Sequence, residues 1–332
     1  MTNQTSTPTF AVIGAGIAGL SCATVLQAAG ATVRLFDKSA AASGRMSTRR
    51  GDGWQCDHGA QYFTAGDPAF RAEVTRWQDA GVAAPWSPRL HARGTAPAQD
   101  LQPAPARFVG VPRMTAPARL LAASLAVSAK TTLNGIRRET NGWQLSSLEH
   151  GALDGHFDAV LLAVPAPQAV PLLRQPAPAL ADLAGTAVMR GCWALMARFA
   201  APLELQFDAA EVAHGPLAWA ARDGSKPGRG AAETWALHAR ADWSEAHLED
   251  DAATVAAVLL QAFGELGAPT PQAWTAHRWR YAFSEPLGDG CAWRADLGLG
   301  LCGDWLNGGN VQGAWLSGRQ LAHEALQSMR PQ

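Results

Sequence analysis

After a polar start, apolar positions group in a way that predicts a strand, a helix and a second strand. Residues 10–14, FAVIG, form the short apolar run that a buried parallel strand needs. Residues 16–30, GIAGLSCATVLQAAG, carry helical spacing and close on Gly30, a stop signal. Residues 32–37, TVRLFD, read as another strand ending on an acid. The apolar run from Ala11 to Val33 is long enough to tempt a membrane reading. Four glycines, the polar Ser21 and Gln27, and the lack of a basic flank or a second span argue against one. No membrane partner is expected.

Further along, FDAVLLAVPAPQAVPLL (157–173) reads as a strand leading to a proline-marked exit. LAWAA (217–221) and TWALHAR (234–240) read as strands flanking RDGSKPGRG (222–230), which is expected to be an exposed charged turn. DDAATVAAVLLQAFGEL (250–266) has helical spacing and should cover one face of that sheet. The Pro/Ala-rich APAQDLQPAPA (96–106) reads as an exposed connection. Near the end, LGLGLCGDWLNGGNVQGAWLSG predicts a strand, a Gly-Asp turn and a helix from about Asn310.

Between the first strand and helix lies Gly14-Ala15-Gly16-Ile17-Ala18-Gly19. Gly14 permits a tight turn, Gly16 lets a pyrophosphate approach the backbone, and Gly19 lets helix pack on strand. The helix start then offers its amides to phosphate charge. Asp37, some 20 residues on, is placed to accept hydrogen bonds from an adenosine ribose. Strand, glycines, helix, strand and acid in register point to a dinucleotide site. A binding element divided between the two chain ends suits FAD better than NAD. Asp304 could hold a ribityl hydroxyl, and the last helix would face the flavin pyrimidine edge with its positive end.

Composition narrows the classes. A formal net charge of −1 over 332 residues gives no reason to expect nucleic acid. The five cysteines, 22, 56, 192, 291 and 302, are scattered without a CxxC pair. They read as reduced thiols of a cytoplasmic protein, with no metal site expected. MTNQTSTPTF has neither a basic nor an apolar signal region, so no secretory leader is expected.

GAGIAG, FDKSAAASGRM, DHGAQYFT, HRWRYAFSEP and LCGDWLNGGNVQGAWLSG together resemble the flavoproteins of the amine oxidase superfamily, and within it the bacterial renalases. The resemblance spans nearly the full length. It implies a glutathione-reductase-type FAD-binding Rossmann-like domain and a second α+β substrate domain, a mixed sheet with helices on one face. The expected segments are 1–65, 107–165 and 284–332 for the FAD domain, and 66–106 and 166–283 for the substrate domain. Carried over residue by residue, it puts Gly14, Gly16, Ala18 and Gly19 at the pyrophosphate and Asp37 and Lys38 near the adenosine ribose. Leu133 would contact adenine through its backbone. Arg45 and Met46 follow the acid, with Arg45 on pyrophosphate and flavin. Gln61 and Tyr62 would sit by the isoalloxazine, and Gly303, Asp304, Val311 and Gln312 at the flavin end.

The same resemblance implies a reaction. Renalases are understood to oxidise misreduced isomers of NAD(P)H, chiefly the 1,2-dihydro form in bacteria, with O2 reoxidising the flavin to give H2O2; the 1,6-dihydro form is left open as a further substrate here. The alternative is an amine oxidase or desaturase acting on a small amine or apolar substrate. The lysine and tyrosine-rich cage usual in amine oxidases find no counterpart. Lys38 is assigned to the adenosine end, Lys130 and Lys226 lie in unsuitable segments, and Tyr62 and Tyr281 are the only tyrosines. His238, Trp279, Tyr281 and Trp305 are the candidates for the substrate face. Arg278, Arg280, Lys226 and Arg229 could meet substrate phosphates or simply be surface charges. Monomer and homodimer both remain open.

Overall fold

The structure, a computed structural model, describes residues 7–94 and 105–329. The connection expected at 96–106 lies almost wholly outside the described residues. The chain divides into two compact units, Met1–Gly44 with Ala118–Met189 and Ser284–Gln332, and Arg45–Pro117 with Arg190–Phe283.

The first unit is built on a six-stranded sheet in the order Cys291–Arg294, Leu299–Cys302, Ala159–Leu162, Thr9–Ile13, Thr32–Phe36, Ala126–Ser128. Every neighbouring pair is parallel except Cys291–Arg294 with Leu299–Cys302, an antiparallel edge. Ala159–Leu162 and Leu299–Cys302 are buried throughout, which is why they read as unbroken apolar runs. The helix Ile17–Ala28 stops as its sequence predicts. Gly30 takes φ +89°, its N–H bonds the Gln27 carbonyl at 2.9 Å, and the Ala31 N–H bonds the Leu26 carbonyl at 3.1 Å. This is a Schellman stop, which needs a left-handed residue at that position.

The last helix, Val311–Ser328, is capped by Asn310, whose side-chain oxygen accepts from the Gly313 N–H at 2.9 Å. It lies close against Ile17–Ala28. A methyl on Gly318 would fall 2.0 Å from the Ala18 carbonyl oxygen, and the Ser21 hydroxyl donates to the Trp315 carbonyl at 2.9 Å. No described helix is long and apolar enough to cross a membrane.

The second unit carries a mixed six-stranded sheet in the order Ala273–Ser284, Met189–Phe199, Glu233–Ala239, Leu217–Arg222, Ala209–Val212, Leu90–Arg93. The last pair is parallel. The helix Ala252–Gly264, capped by Asp251, packs Val255, Leu259 and Phe263 with Trp193, Leu195, Trp235 and Leu237. The hairpin Thr48–Gly51 with Trp54–Asp57 places Cys56 against Met196 and Ala236.

These units divide the chain differently from the segments expected above. Residues 45–65 fall in the second unit, where that hairpin packs Cys56 on Met196 and Ala236, and residues 107–117 fall there with the Phe108–Gly110 strand paired to Ala83–Pro85. Residues 166–189 fall in the first, where Ala166, Ala169, Leu172, Leu173 and Leu180 complete the core around Ile13, Val160 and Leu301.

Candidate functional site

The first unit presents the glycine turn. Gly14 sits at φ +104°, and a Cβ there would lie 2.5 Å from the Ala163 carbonyl oxygen. A Cβ on Gly19 would lie 1.9 Å from the Gly14 oxygen. Both are therefore glycine for the protein's own packing. Gly16 differs, because the nearest atom to a Cβ there is the Gly44 Cα at 3.9 Å. Among the described residues no atom comes closer to that position, so a backbone approach by a pyrophosphate meets no side chain there. The helix beginning at Ile17 has no side-chain cap and no acid in its first turn.

Asp37 follows the second strand. Its carboxylate accepts from the Ala15 N–H at 2.6 Å and the Ser39 N–H at 2.7 Å. The acid is thus tied to the glycine turn it serves. Lys38 is exposed, and Leu133 opens the strand Leu133–Glu139 half-buried. At the other chain end, Gly303 donates its N–H to the Ser317 hydroxyl at 2.9 Å. The buried Asp304 accepts from the Ser284 hydroxyl at 2.9 Å. Val311 and Gln312 form the first turn of the last helix, half-buried. Open glycine space, a free helix start and an acid after the second strand together fit a dinucleotide.

Trp305, expected on the substrate face, lies instead in the core of the first unit. It is 0% exposed and donates its indole N–H to the Val164 carbonyl at 3.2 Å.

In the second unit, the GRM and DHGAQYFT motifs interlock. The Ala60 N–H bonds the Arg45 carbonyl at 2.9 Å, and a Cβ on Gly59 would fall 2.0 Å from that same oxygen. Arg45 donates to the Ala282 carbonyl at 3.1 Å, and Met46 is buried. Tyr62 packs with Trp219 and Trp86, with the Arg107 guanidinium over its ring at 5.1 Å.

The His58 carbonyl gathers two donors, the indole N–H of Trp279 at 2.9 Å and Nε2 of His238 at 3.1 Å. These two substrate-face candidates therefore spend a nitrogen each on holding the 57–62 turn. The His58 ring stacks on Trp279 at 5.2 Å and meets His277 edge-on at 4.8 Å. Burial, with the nearby His277 and Arg49, pushes the His58 imidazole down to about 3. Burial likewise lowers His238 to about 4. Alternation along the strand Ala273–Ser284 puts His277, Trp279 and Tyr281 on one face. Arg278 and Arg280 are surface charges, each paired with Glu249.

The turn at 222–230 corrects the sequence reading. Lys226 is 2% exposed, and Asp57, Asp223 and the Arg229 side chain are buried beside it. The Lys226 ammonium lies 3.2 Å from Asp57 Oδ2 and 3.6 Å from Asp223 Oδ1. Arg229 bonds Asp57 Oδ2 at 2.5 Å, and Thr48 donates to Oδ1 at 2.6 Å. Burial works to raise the Asp57 carboxyl, but Lys226, Arg229 and Thr48 outweigh it and hold the group below its ordinary value. Asp223 is raised, by burial first and by the Asp57 charge second. Lys226 also donates to Gln61 Oε1 at 3.2 Å. Sequence reasoning misses this quartet because a run rich in Arg, Asp and Lys reads as surface, and the partner carboxylate is 169 positions away.

An open cavity of about 440 Å³ also lies in the second unit, lined among others by Arg50, Trp54, Arg113, Asp223 and Thr234. Among the described residues no group of three or more His, Cys, Asp or Glu could hold a metal ion. All five cysteines are buried and unpaired.

Residues 12–77 match the family model of the NAD(P)-binding Rossmann-like domain. Solved structures share the fold over nearly the whole chain. A protein assigned as a protoporphyrinogen oxidase from Exiguobacterium sp. 255-15 is 13% identical, with 97% of this chain and 99% of that one covered and a TM-score of 0.77. The cyclohexylamine oxidase of Brevibacterium oxydans IH-35A is 12% identical over 97% and 99%, with a TM-score of 0.73. A putrescine oxidase bound to putrescine is 13% identical over 96% and 100%, with a TM-score of 0.70. The chain thus has the fold of these oxidases, with a Rossmann-like dinucleotide-binding unit.

Proposed function

We propose that the protein is an FAD-dependent oxidase that takes a hydride from misreduced isomers of NAD(P)H and returns NAD(P)+, with O2 as the final acceptor. FAD, when bound, would supply the hydride acceptor, with O2 as the terminal electron acceptor and H2O2 as its product. The first unit holds the dinucleotide through the cradle at Gly14, Gly16 and Gly19, through Asp37, and through the last helix at Asp304, Val311 and Gln312. In the second unit, Arg45, Gln61 and Tyr62 are the cofactor residues.

The observation that carries the substrate class is the state of the titratable groups beside the 57–62 turn. His58 and His238 are pushed to about 3 and about 4, too weakly basic to take a proton from a substrate near neutrality. Lys226 is enclosed by carboxylates. An amine arrives as an ammonium ion and must lose a proton before oxidation, and these residues offer poor means of removing it. A dihydropyridine carries its hydride on carbon and becomes aromatic on losing it. Such a substrate needs only to be held in place and shielded from water.

Anaerobic mixing with isomeric dihydro-NAD tests the reading. The flavin band should bleach rapidly, at a rate that changes little from about pH 6 to about pH 9 because no base is required. Bleaching by putrescine or cyclohexylamine, with a steep single-proton pH dependence, would establish the amine-oxidase alternative instead.

A further inference from the structure

Gln61 carries an unusually constrained amide. Its Nε2 donates to the Asp57 carbonyl at 2.6 Å and to the Gly59 carbonyl at 3.1 Å, while its Oε1 accepts from the Lys226 ammonium at 3.2 Å. Only one amide orientation satisfies this arrangement. Turned over, the NH2 would face an ammonium and the oxygen would face two carbonyls. Both amide protons are therefore consumed inside the turn, and the side chain has none left to offer a ligand. The bonds to two carbonyls two residues apart curl the segment 57–61. Among the described residues, the backbone N–H groups of Gln61 and Tyr62 make no hydrogen bond, whereas those of His58, Ala60 and Phe63 are spent. The polar donors this turn can still give are backbone amides, and the curl determines where they lie.

Building on the cofactor reading above, we propose that Lys226 is a positioning residue: its ammonium locks the Gln61 amide, and that lock shapes the turn whose backbone amides meet the flavin. The Lys226 side chain is buried within the second unit. It is held by Asp57 and Asp223, and its Nζ lies 5.6 Å from the Trp86 ring centroid. Trp86 in turn packs against Tyr62. The ammonium thus braces the turn at Asp57 and Gln61 directly and backs the aromatic wall beside Tyr62.

A buried lysine cannot be removed alone without upsetting the charge balance of two carboxylates and a guanidinium. The test therefore pairs K226M with D223N, which removes one charge of each sign. D223N alone is the reference for the double variant, since it carries the same loss of the Asp223 charge but leaves the contact between Lys226 and Gln61 in place. D223N should bind FAD more tightly than K226M/D223N and keep the visible spectrum of the wild type. K226M/D223N should bind FAD about 10- to 100-fold more weakly, the worth of one charge-assisted hydrogen bond, and the band shape of the bound flavin should change. Q61M cuts the same link from the other side and leaves every charge in place. It should reproduce both changes, which keeps the test open if the double variant fails to fold.

Equal affinity and spectrum in K226M/D223N and D223N, or wild-type behaviour of Q61M, would overturn the proposal. So would a D223N variant that loses as much affinity as the double, because the effect would then belong to the network at large. Wild-type protein that takes up no flavin would overturn the cofactor reading and this proposal together. Flavin-binding wild type beside indifferent variants would overturn this proposal alone.

Discussion

A methyl group added at position 14 and one added at position 16 should have different effects, although both glycines belong to one motif. Gly14 holds φ +104° with backbone 2.5 Å from where a Cβ would stand. Neither the torsion nor the carbonyl can yield cheaply, so Gly14→Ala should cost about 2–4 kcal/mol and lower the melting temperature of the flavin-free protein by several degrees. Gly16→Ala meets nothing closer than 3.9 Å. It should melt with the wild type yet bind FAD at least tenfold more weakly, or about 1.4 kcal/mol, because the methyl enters the pyrophosphate space. Melting of the flavin-free protein and titration with FAD separate the two effects. A Gly16→Ala protein with unaltered FAD affinity would remove the cradle from the cofactor reading. The spacing of these glycines is legible in the sequence because a turn, a close approach and a helix contact recur at fixed offsets. The sequence does not reveal that Gly44, far along the chain, is the residue nearest to Gly16.

Elements are legible where local chemistry marks their ends. Gly30 and Asn310 are such marks, and the helices they bound stand where the sequence predicts. Packing between elements is less legible. Nothing local announces that Gly318 is required for the last helix to reach Ile17–Ala28, yet a Cβ there would lie 2.0 Å from the Ala18 oxygen and 2.9 Å from its carbon. Those atoms belong to helical backbone, so the helices themselves would have to separate. Gly318→Ala should therefore destabilise by about 1–3 kcal/mol, read by denaturant unfolding. Gly185→Ala, with no atom within 4 Å of the new methyl, is the matched control and should be nearly silent. The 222–230 turn is the opposite case, in which local chemistry misleads. Its charges belong inside because Asp57 and Gln61 receive them.

Across the whole molecule, apolar runs mark single strands such as Thr9–Ile13 and Ala159–Leu162, while the divisions between units depend on contacts no run displays. Residues 45–65 continue the first strand–helix–strand motif in sequence, but the hairpin at Thr48–Asp57 is anchored elsewhere by Cys56 on Met196 and Ala236. The same distance in sequence hides the acid limit of the fold. The His238 ring bonds the backbone carbonyl of His58, 180 positions away, and both folded imidazoles lie well below the ordinary value of 6.5. Above that value both rings are neutral in either state and contribute no pH dependence. As pH falls below it, the unfolded chain takes up protons that the fold refuses, and stability is lost down to about 4 for His238 and about 3 for His58. At pH 5 this amounts to about 2 kcal/mol per ring. Asp223, whose folded carboxyl is raised, binds its proton more readily in the fold and opposes part of that slope. The melting temperature should therefore fall between pH 7 and pH 5, and His238→Gln, whose amide can still donate to the His58 carbonyl, should make the fall shallower. Equal slopes in the two proteins would mean that His238 titrates alike folded and unfolded, and that the turn beside it is open to protons after all.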